Sequence, residues 1–138
     1  MESYFVDSNI FLRYHSRDDE KQCEEAEAFF LRAKRGEIKI FCGPPVFFEV
    51  AWVLKSFYKL PNSTILDTLE SMLSIPNFTV FDVEYVVQAI EFARKNSCGF
   101  ADSYIAVVAR DKKIGIATFN VHHFENSGVA LYPTFRKT

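Results

Sequence analysis

The order of apolar runs predicts an α/β protein: a single three-layer domain on a short, mostly parallel central sheet of four to five strands flanked by helices. Three observations carry that expectation. Short β-rich runs alternate with longer segments whose apolar residues recur every three to four positions, the pattern of a parallel sheet covered by crossover helices. The 138 residues, 49% of them hydrophobic, suffice for one core without disulfide or metal staples. No Gly/Ser/Pro-rich linker, repeat or biased tract divides the chain, so residues 1–138 read as one domain.

Ser3-Tyr4-Phe5-Val6 reads as a short buried strand ending at Asp7, followed by a helix with Ile10, Phe11 and Tyr14 on one face. From about Asp18 to Arg35, Cys23, Ala26, Phe29, Phe30 and Ala33 recur at helical spacing, and Lys34-Arg35-Gly36 supplies a cationic last turn and a stop. Ile38 to Phe41 is a second strand. Gly43-Pro44-Pro45 starts a helix running to about Tyr58, with proline where no amide donor is missed. Asn62 or Ser63 is expected to cap a helix striped by Leu66, Leu69 and Leu73. Phe78 to Phe81 is a third strand, and Asp82 is expected to cap a helix carrying Val83, Val86, Val87, Ile90 and Ala93. A further helix spans about Ala101 to Lys113. Ile114 to Thr118 is expected as a fourth strand, a short helix lies around His122 to Glu125, and Val129 to Leu131 is a candidate fifth strand.

Composition excludes several classes. Sixteen basic against eighteen acidic residues give a net charge of −2, which removes any blanket electrostatic case for nucleic acid but leaves room for a local basic patch. Cys23, Cys42 and Cys98 form no C-x-x-C or zinc spacing and read as buried free thiols of a reducing compartment. Met1-Glu2-Ser3 lacks the start of a signal peptide. The longest nearly apolar stretch, Pro44 to Leu54, has eleven residues and contains Glu49, too short to cross a bilayer. A soluble, cytoplasmic protein is expected. No G-x-x-x-x-G-K-[ST] or G-x-G-x-x-G nucleotide loop exists.

Three carboxylates stand in apolar surroundings. Asp7 lies between Tyr4-Phe5-Val6 and Ile10-Phe11-Leu12, Glu49 inside Val46 to Leu54, and Asp102 within Phe100 to Ala109. An unpaired charge in such a setting costs several kcal/mol, and the usual answers are pairing, protonation or metal binding. Each has a structural alternative. Asp7 would cap the next helix, Asp102 would be stabilised by a helix dipole, and Glu49 would sit in a buried salt bridge, although Lys55 is not on its face. Gathered beside a strand end, they would repel one another unless a divalent cation neutralised them. Hard oxygen ligands describe Mg²⁺ or Mn²⁺ serving phosphate chemistry.

Val6-Asp7-Ser8-Asn9, Phe48-Glu49-Val50, Phe100-Ala101-Asp102-Ser103-Tyr104-Ile105-Ala106 and Ala117-Thr118-Phe119-Asn120 together resemble, in order and spacing, the PIN-domain ribonucleases. The resemblance runs from Tyr4 to about Phe124 and is nearest to the VapC-type toxins of prokaryotic toxin–antitoxin pairs. It implies a PIN-like fold and a Mg²⁺-dependent endoribonuclease, with Mn²⁺ as a substitute. Asp7, Glu49 and Asp102 match acidic residues that hold the metal and activate water. Ser8 and Asn9 match the residues supporting the first Asp, and Thr118 the strand-end hydroxyl beside the site. A fourth acid is missing, because Asn120 and His123 occupy the two positions where family members often carry Asp. The resemblance further implies a single-stranded or looped RNA substrate such as tRNA or mRNA, 5′-phosphate and 3′-hydroxyl ends, a cognate antitoxin and a homodimer.

Residues outside these motifs yield narrower expectations. His122 and His123 are adjacent, so a shared ion is disfavoured and a surface role expected. Arg13 and Arg17 are the cations expected nearest the cleft, with ordinary solvated charges as the alternative. Phe47, Trp52, Phe57 and Tyr58 on or near one long helix exceed what a small core buries, which also points to a homodimer. Two rival functions stay open: a non-catalytic RNA-binding or regulatory PIN domain, and a small-molecule phosphohydrolase on a related sheet.

Overall fold

Ile38, Ile40 and Cys42 are fully buried while Lys39 between them is exposed, the period-two alternation of a strand with one face on a core. This strand, β2 (Ile38–Cys42), is the middle of a three-stranded parallel sheet in a computed structural model that describes residues 2–133. β1 (Glu2–Phe5) pairs on one side, with Tyr4 opposite Ile40. β3 (Phe78–Val80) pairs on the other, with Phe41 opposite Thr79. The fold is α/β, a parallel sheet with flanking helices, and the chain divides into two compact units, Met1–Val83 and Glu84–Thr138.

In the first unit, α1 (Ser8–Ser16) and α2 (Glu20–Lys34) pack on each other, and α2 also meets β2. Phe11 of α1 packs at a tilt against Phe30 of α2 and Phe78 of β3, at ring separations of 5.4 and 5.6 Å. α2 starts at the Asp19 cap, whose carboxylate accepts the Gln22 amide at 3.0 Å. α3 (Pro44–Ser56) opens on proline after an extended Gly43 and packs on α1 and on α4 (Asn62–Leu73). Neither Asn62 nor Ser63 caps α4, because the helix begins at Asn62 and Pro61 takes the cap position without a side-chain bond. Val6 is buried, but Tyr4 and Phe5 are exposed, so the first strand is not the buried one expected. It is an outer strand of the three.

The second unit holds α5 (Val83–Asn96), α6 (Phe100–Lys112) and α7 (Val121–Phe124). Val86, Ala89, Ile90 and Ala93 make the buried stripe of α5. Ala106 and Ala109 of α6 cluster with Ile116 and Phe124, flanked by Phe92, Val129 and Leu131. The expected fourth and fifth strands shrink to one parallel bridge, Ile116 with Leu131, so the sheet has three strands rather than four to five. Ile116 is buried whereas Ile114 is 59% exposed, so one ladder step is anchored and its neighbours are not. Gly115 permits the close approach there, since a Cβ on it would stand 3.0 Å from the Ala130 carbonyl oxygen. No helix among the described residues is long and apolar enough to cross a membrane.

Candidate metal and nuclease site

Asp7 follows β1 and occupies the cap position of α1. Its backbone is extended (φ −78°, ψ 160°) and its carbonyl accepts the Ile10 amide at 3.2 Å, yet its carboxylate caps nothing. Among the described residues its side-chain partner is Asn9, whose Nδ2 lies a long 3.4 Å from Oδ2. Capping therefore does not explain this aspartate. Ser8 beside it is buried and Asn9 exposed. The Val6 amide donates to the Phe41 carbonyl at 2.8 Å, which ties the chain just before Asp7 to the end of β2. Burial pushes the Cys42 thiol up to about 12, and the nearby Asp7 charge pushes in the same direction, so this cysteine is an inert core residue.

Glu49 lies in the middle of α3 and is exposed, contrary to the burial its sequence neighbours implied. The reason is geometric: α3 buries Val46, Phe47, Val50 and Leu54 on one side, while Pro45, Glu49 and Trp52 form the opposite stripe. Among the described residues, neither Asp7 nor Glu49 has a Lys, Arg or His partner. The buried salt bridge weighed for Glu49 is thus absent among those residues.

Asp102 sits in the first turn of α6, where unpaired amides and the helix dipole favour its charge. The turn is fixed from beneath by buried Ser103, whose hydroxyl donates to the Gly99 carbonyl at 2.7 Å and lies 3.0 Å from the Cys98 sulfur. His123 of α7 approaches from across the unit, its Nδ1 2.8 Å from Asp102 Oδ2. His123 is exposed, as expected of a surface residue, and carries this one contact, while His122, 91% exposed, lies 3.3 Å from Glu125.

Thr118 and Asn120 bind each other: the Asn120 amide donates to Thr118 Oγ1 at 2.9 Å, and the Asn120 carbonyl accepts the His123 amide at 3.1 Å. They shape the turn into α7, and the Asn120 side chain makes no cap bond. Arg13 bonds Asp18 at 3.0 Å and Gln22 at 2.7 Å, and Arg17 bonds Glu27 at 2.8 Å. Both arginines are committed to surface pairs rather than poised for phosphate. Phe47 is fully buried and leaves the exposed aromatic set, in which Trp52 and Phe57 stand 67% and 72% exposed.

Carboxylate oxygens are the hard donors that Mg²⁺ or Mn²⁺ takes, and among the described residues no cationic side chain claims Asp7 or Glu49. Among the described residues, no group of three His, Cys, Asp or Glu side chains stands close enough to hold an ion. A cavity of about 650 Å³ lies elsewhere in the first unit, lined by Tyr14, His15, Glu27, Phe30, Lys34 and Ile75 among others. It includes neither Asp7 nor Glu49. A cavity of that size suits a small ligand, and Asp7 and Glu49 lie apart from it as exposed residues.

Two solved structures resemble this chain along nearly its whole length. One is VapBC2 from Rickettsia felis bound to a DNA fragment from its promoter, at 20% identity, covering 94% of this chain and 97% of that one, with a TM-score of 0.38. The other is FitAB bound to an IR36 DNA fragment, at 17% identity, covering 93% and 92%, with a TM-score of 0.36. No curated protein matches the sequence. The PIN domain family model matches residues 4–127, a span that contains Asp7, Glu49, Asp102, Thr118, Asn120 and His123. This chain belongs to the PIN domain family, whose members are generally nucleases using divalent metals.

Proposed function

We propose that this protein is a Mg²⁺-dependent endoribonuclease that cleaves RNA phosphodiesters, and the toxin of a VapBC-type toxin–antitoxin pair. The observation that carries the reading is the PIN family match over residues 4–127, unbroken across both units and spanning all three carboxylates. It also supports treating residues 1–138 as one functional domain. Asp7, Glu49 and Asp102 are the proposed ligands of Mg²⁺ or Mn²⁺, whose chemistry is to activate water and offset charge building on a phosphate. Ser8 and Asn9 support Asp7, the latter through its 3.4 Å bond. Thr118 and Asn120 set the turn that delivers α7 to Asp102. The partners proposed are a tRNA or mRNA substrate, a cognate antitoxin and a second copy of the chain through the Trp52 and Phe57 face, all in the cytoplasm.

One observation favours a non-catalytic RNA-binding PIN domain instead: among the described residues no three ligands stand together. Thermal melts decide between the two. A ligand bound only by the folded state stabilises it by about 2.7 kcal/mol at 100 times its Kd. Mg²⁺ is therefore expected to raise the melting midpoint of the wild type by several degrees over EDTA, and to leave Asp102→Asn and Glu49→Gln unmoved. Equal midpoints for the wild type in Mg²⁺ and EDTA would remove the metal reading.

A further inference from the structure

Asn9, beside Asp7, lines a cleft of about 490 Å³ between α1 and α2, wholly within the first unit. Ile10 and Arg13 continue its α1 wall, and Gln22, Glu25 and Phe29 line it from α2, where steps of three and four residues put them on one face. A cleft of that volume takes a small molecule or one unit of a larger one. Its polar groups have fixed roles. Arg13 donates from Nε to Gln22 Oε1 at 2.7 Å and from Nη1 to Asp18 at 3.0 Å. A guanidinium has only donors, so the Gln22 amide turns its oxygen to Arg13 and keeps both Nε2 hydrogens for another acceptor. Glu25, in the next turn of α2, has no hydrogen bond or ion pair among the described residues, and its carboxylate only accepts. Beside the apolar Ile10 and Phe29, the cleft therefore offers an amide donor and a carboxylate acceptor. It disfavours phosphate, because Glu25 repels an anion and Arg13 is already paired with Asp18.

We infer that this cleft is a base-recognition subsite for the RNA substrate, and that the base it takes is guanine. The inference rests on the ribonuclease reading above and deepens it. Unpaired bases of single-stranded RNA are read by aromatic side chains and by hydrogen bonds to their pairing edges. Guanine carries two adjacent donors on that edge, N1–H and the N2 amino group, which match the two oxygens of the Glu25 carboxylate. Next to them stands O6, an acceptor for the Gln22 amide. Adenine, cytosine and uracil each carry a single donor group on that edge, so none engages both carboxylate oxygens in this way. From Asn9 to Arg13 the α1 wall runs four residues, about 6 Å, and Asn9 Nδ2 lies 3.4 Å from Asp7 Oδ2. A guanine held by Gln22 and Glu25 is thus within a nucleotide's reach of Asp7.

Titration of the isotope-labelled full chain with guanosine monophosphate in EDTA, read from backbone amide NMR shifts, tests this without metal or cleavage. The amides of Gln22, Glu25 and Phe29 are expected to move. Adenosine, cytidine and uridine monophosphates should bind at least about 10-fold more weakly. Glu25→Gln, a change at an exposed position whose fold the same spectra check, should lose about 10-fold or more in affinity for the guanine nucleotide. Gln22→Glu, which sets a carboxylate against O6, should lose as much. Equal affinity for the four nucleotides, no shift with any of them, or unchanged affinity in Glu25→Gln would overturn the inference while leaving the nuclease reading intact. Guanine-selective binding by a wild type that cuts no RNA would overturn the nuclease reading and leave a guanine-nucleotide site.

Discussion

Asp7 and Asp102 each stand at the start of a helix, α1 and α6, and each faces the same favourable dipole, yet their surroundings differ. Asp7 caps nothing and has only a 3.4 Å contact from Asn9. Asp102 is gripped at 2.8 Å by His123, from a helix delivered by a buried phenylalanine. The local sequence produces the position of each carboxylate, while the partner of Asp102 comes from a distant segment and that of Asp7, among the described residues, is the neighbouring Asn9 at a long 3.4 Å.

The largest expected effect breaks the comparison at Asp7. If its carboxylate capped α1, Asp7→Ala would cost about 1 kcal/mol, or roughly 3–5 °C in a chain of this size. With no cap bond to lose, the midpoint should move by less than about 2 °C, while RNA cleavage falls at least about 100-fold. Gel-resolved cleavage and a thermal melt on the same preparation check both halves. A stability loss matching the cap value would restore the structural alternative.

Glu49→Gln extends the contrast to a third carboxylate. Stranding the partner of a buried salt bridge costs about 3–5 kcal/mol. An exposed glutamate without such a partner predicts a change within about 0.5 kcal/mol, together with lost cleavage; urea unfolding measures the first and the RNA assay the second. Assembly comes next in size. Trp52→Glu places a charge in the exposed aromatic face and is expected to convert a dimer to a monomer by light scattering, with the melting midpoint of the monomer little changed. A wild type that is already monomeric at tens of micromolar would remove the dimer.

The smallest effect lies at His15. His15 Nε2 is buried without a hydrogen-bond partner among the described residues, and burial lowers its pKa below the usual 6.5. The unfolded chain then binds the proton more readily, so this contribution to stability is present above about pH 6.5 and is lost as pH falls toward the folded-state pKa. His15→Gln should flatten the decline in urea midpoint between pH 7 and 5.5. Identical slopes for the wild type and His15→Gln would remove His15 from the acid sensitivity.

Much of the fold was legible because its signals are periodic and local. The strand from Ile38, the proline start of α3, and Val86, Ile90 and Ala93 as apolar positions of α5 all read correctly, although Val83 and Val87 on that helix are exposed and Ala89 takes a buried place. Two misreadings share a cause. Glu49 looked enclosed because its sequence neighbours are apolar, but a helix turns successive residues by 100°, and one face suffices to bury four of them. The strand over Ile114 to Thr118 looked complete because it is apolar at intervals, but only Ile116 finds a buried place, and a ladder needs partners along its length. The Asp102–His123 contact depends on how α7 packs against α6, which no spacing rule encodes.

The central claim, that Asp7, Glu49 and Asp102 serve metal-dependent cleavage of RNA, is tested most directly on a mixed single-stranded RNA pool. Purified wild type and Asp102→Asn are incubated with Mg²⁺ or with EDTA, and the product ends are identified. The account predicts fragments bearing 5′-phosphate from the wild type in Mg²⁺ alone, and none from Asp102→Asn or in EDTA. Cleavage that persists in EDTA or in Asp102→Asn, or a wild type that cuts no RNA in Mg²⁺, would contradict it.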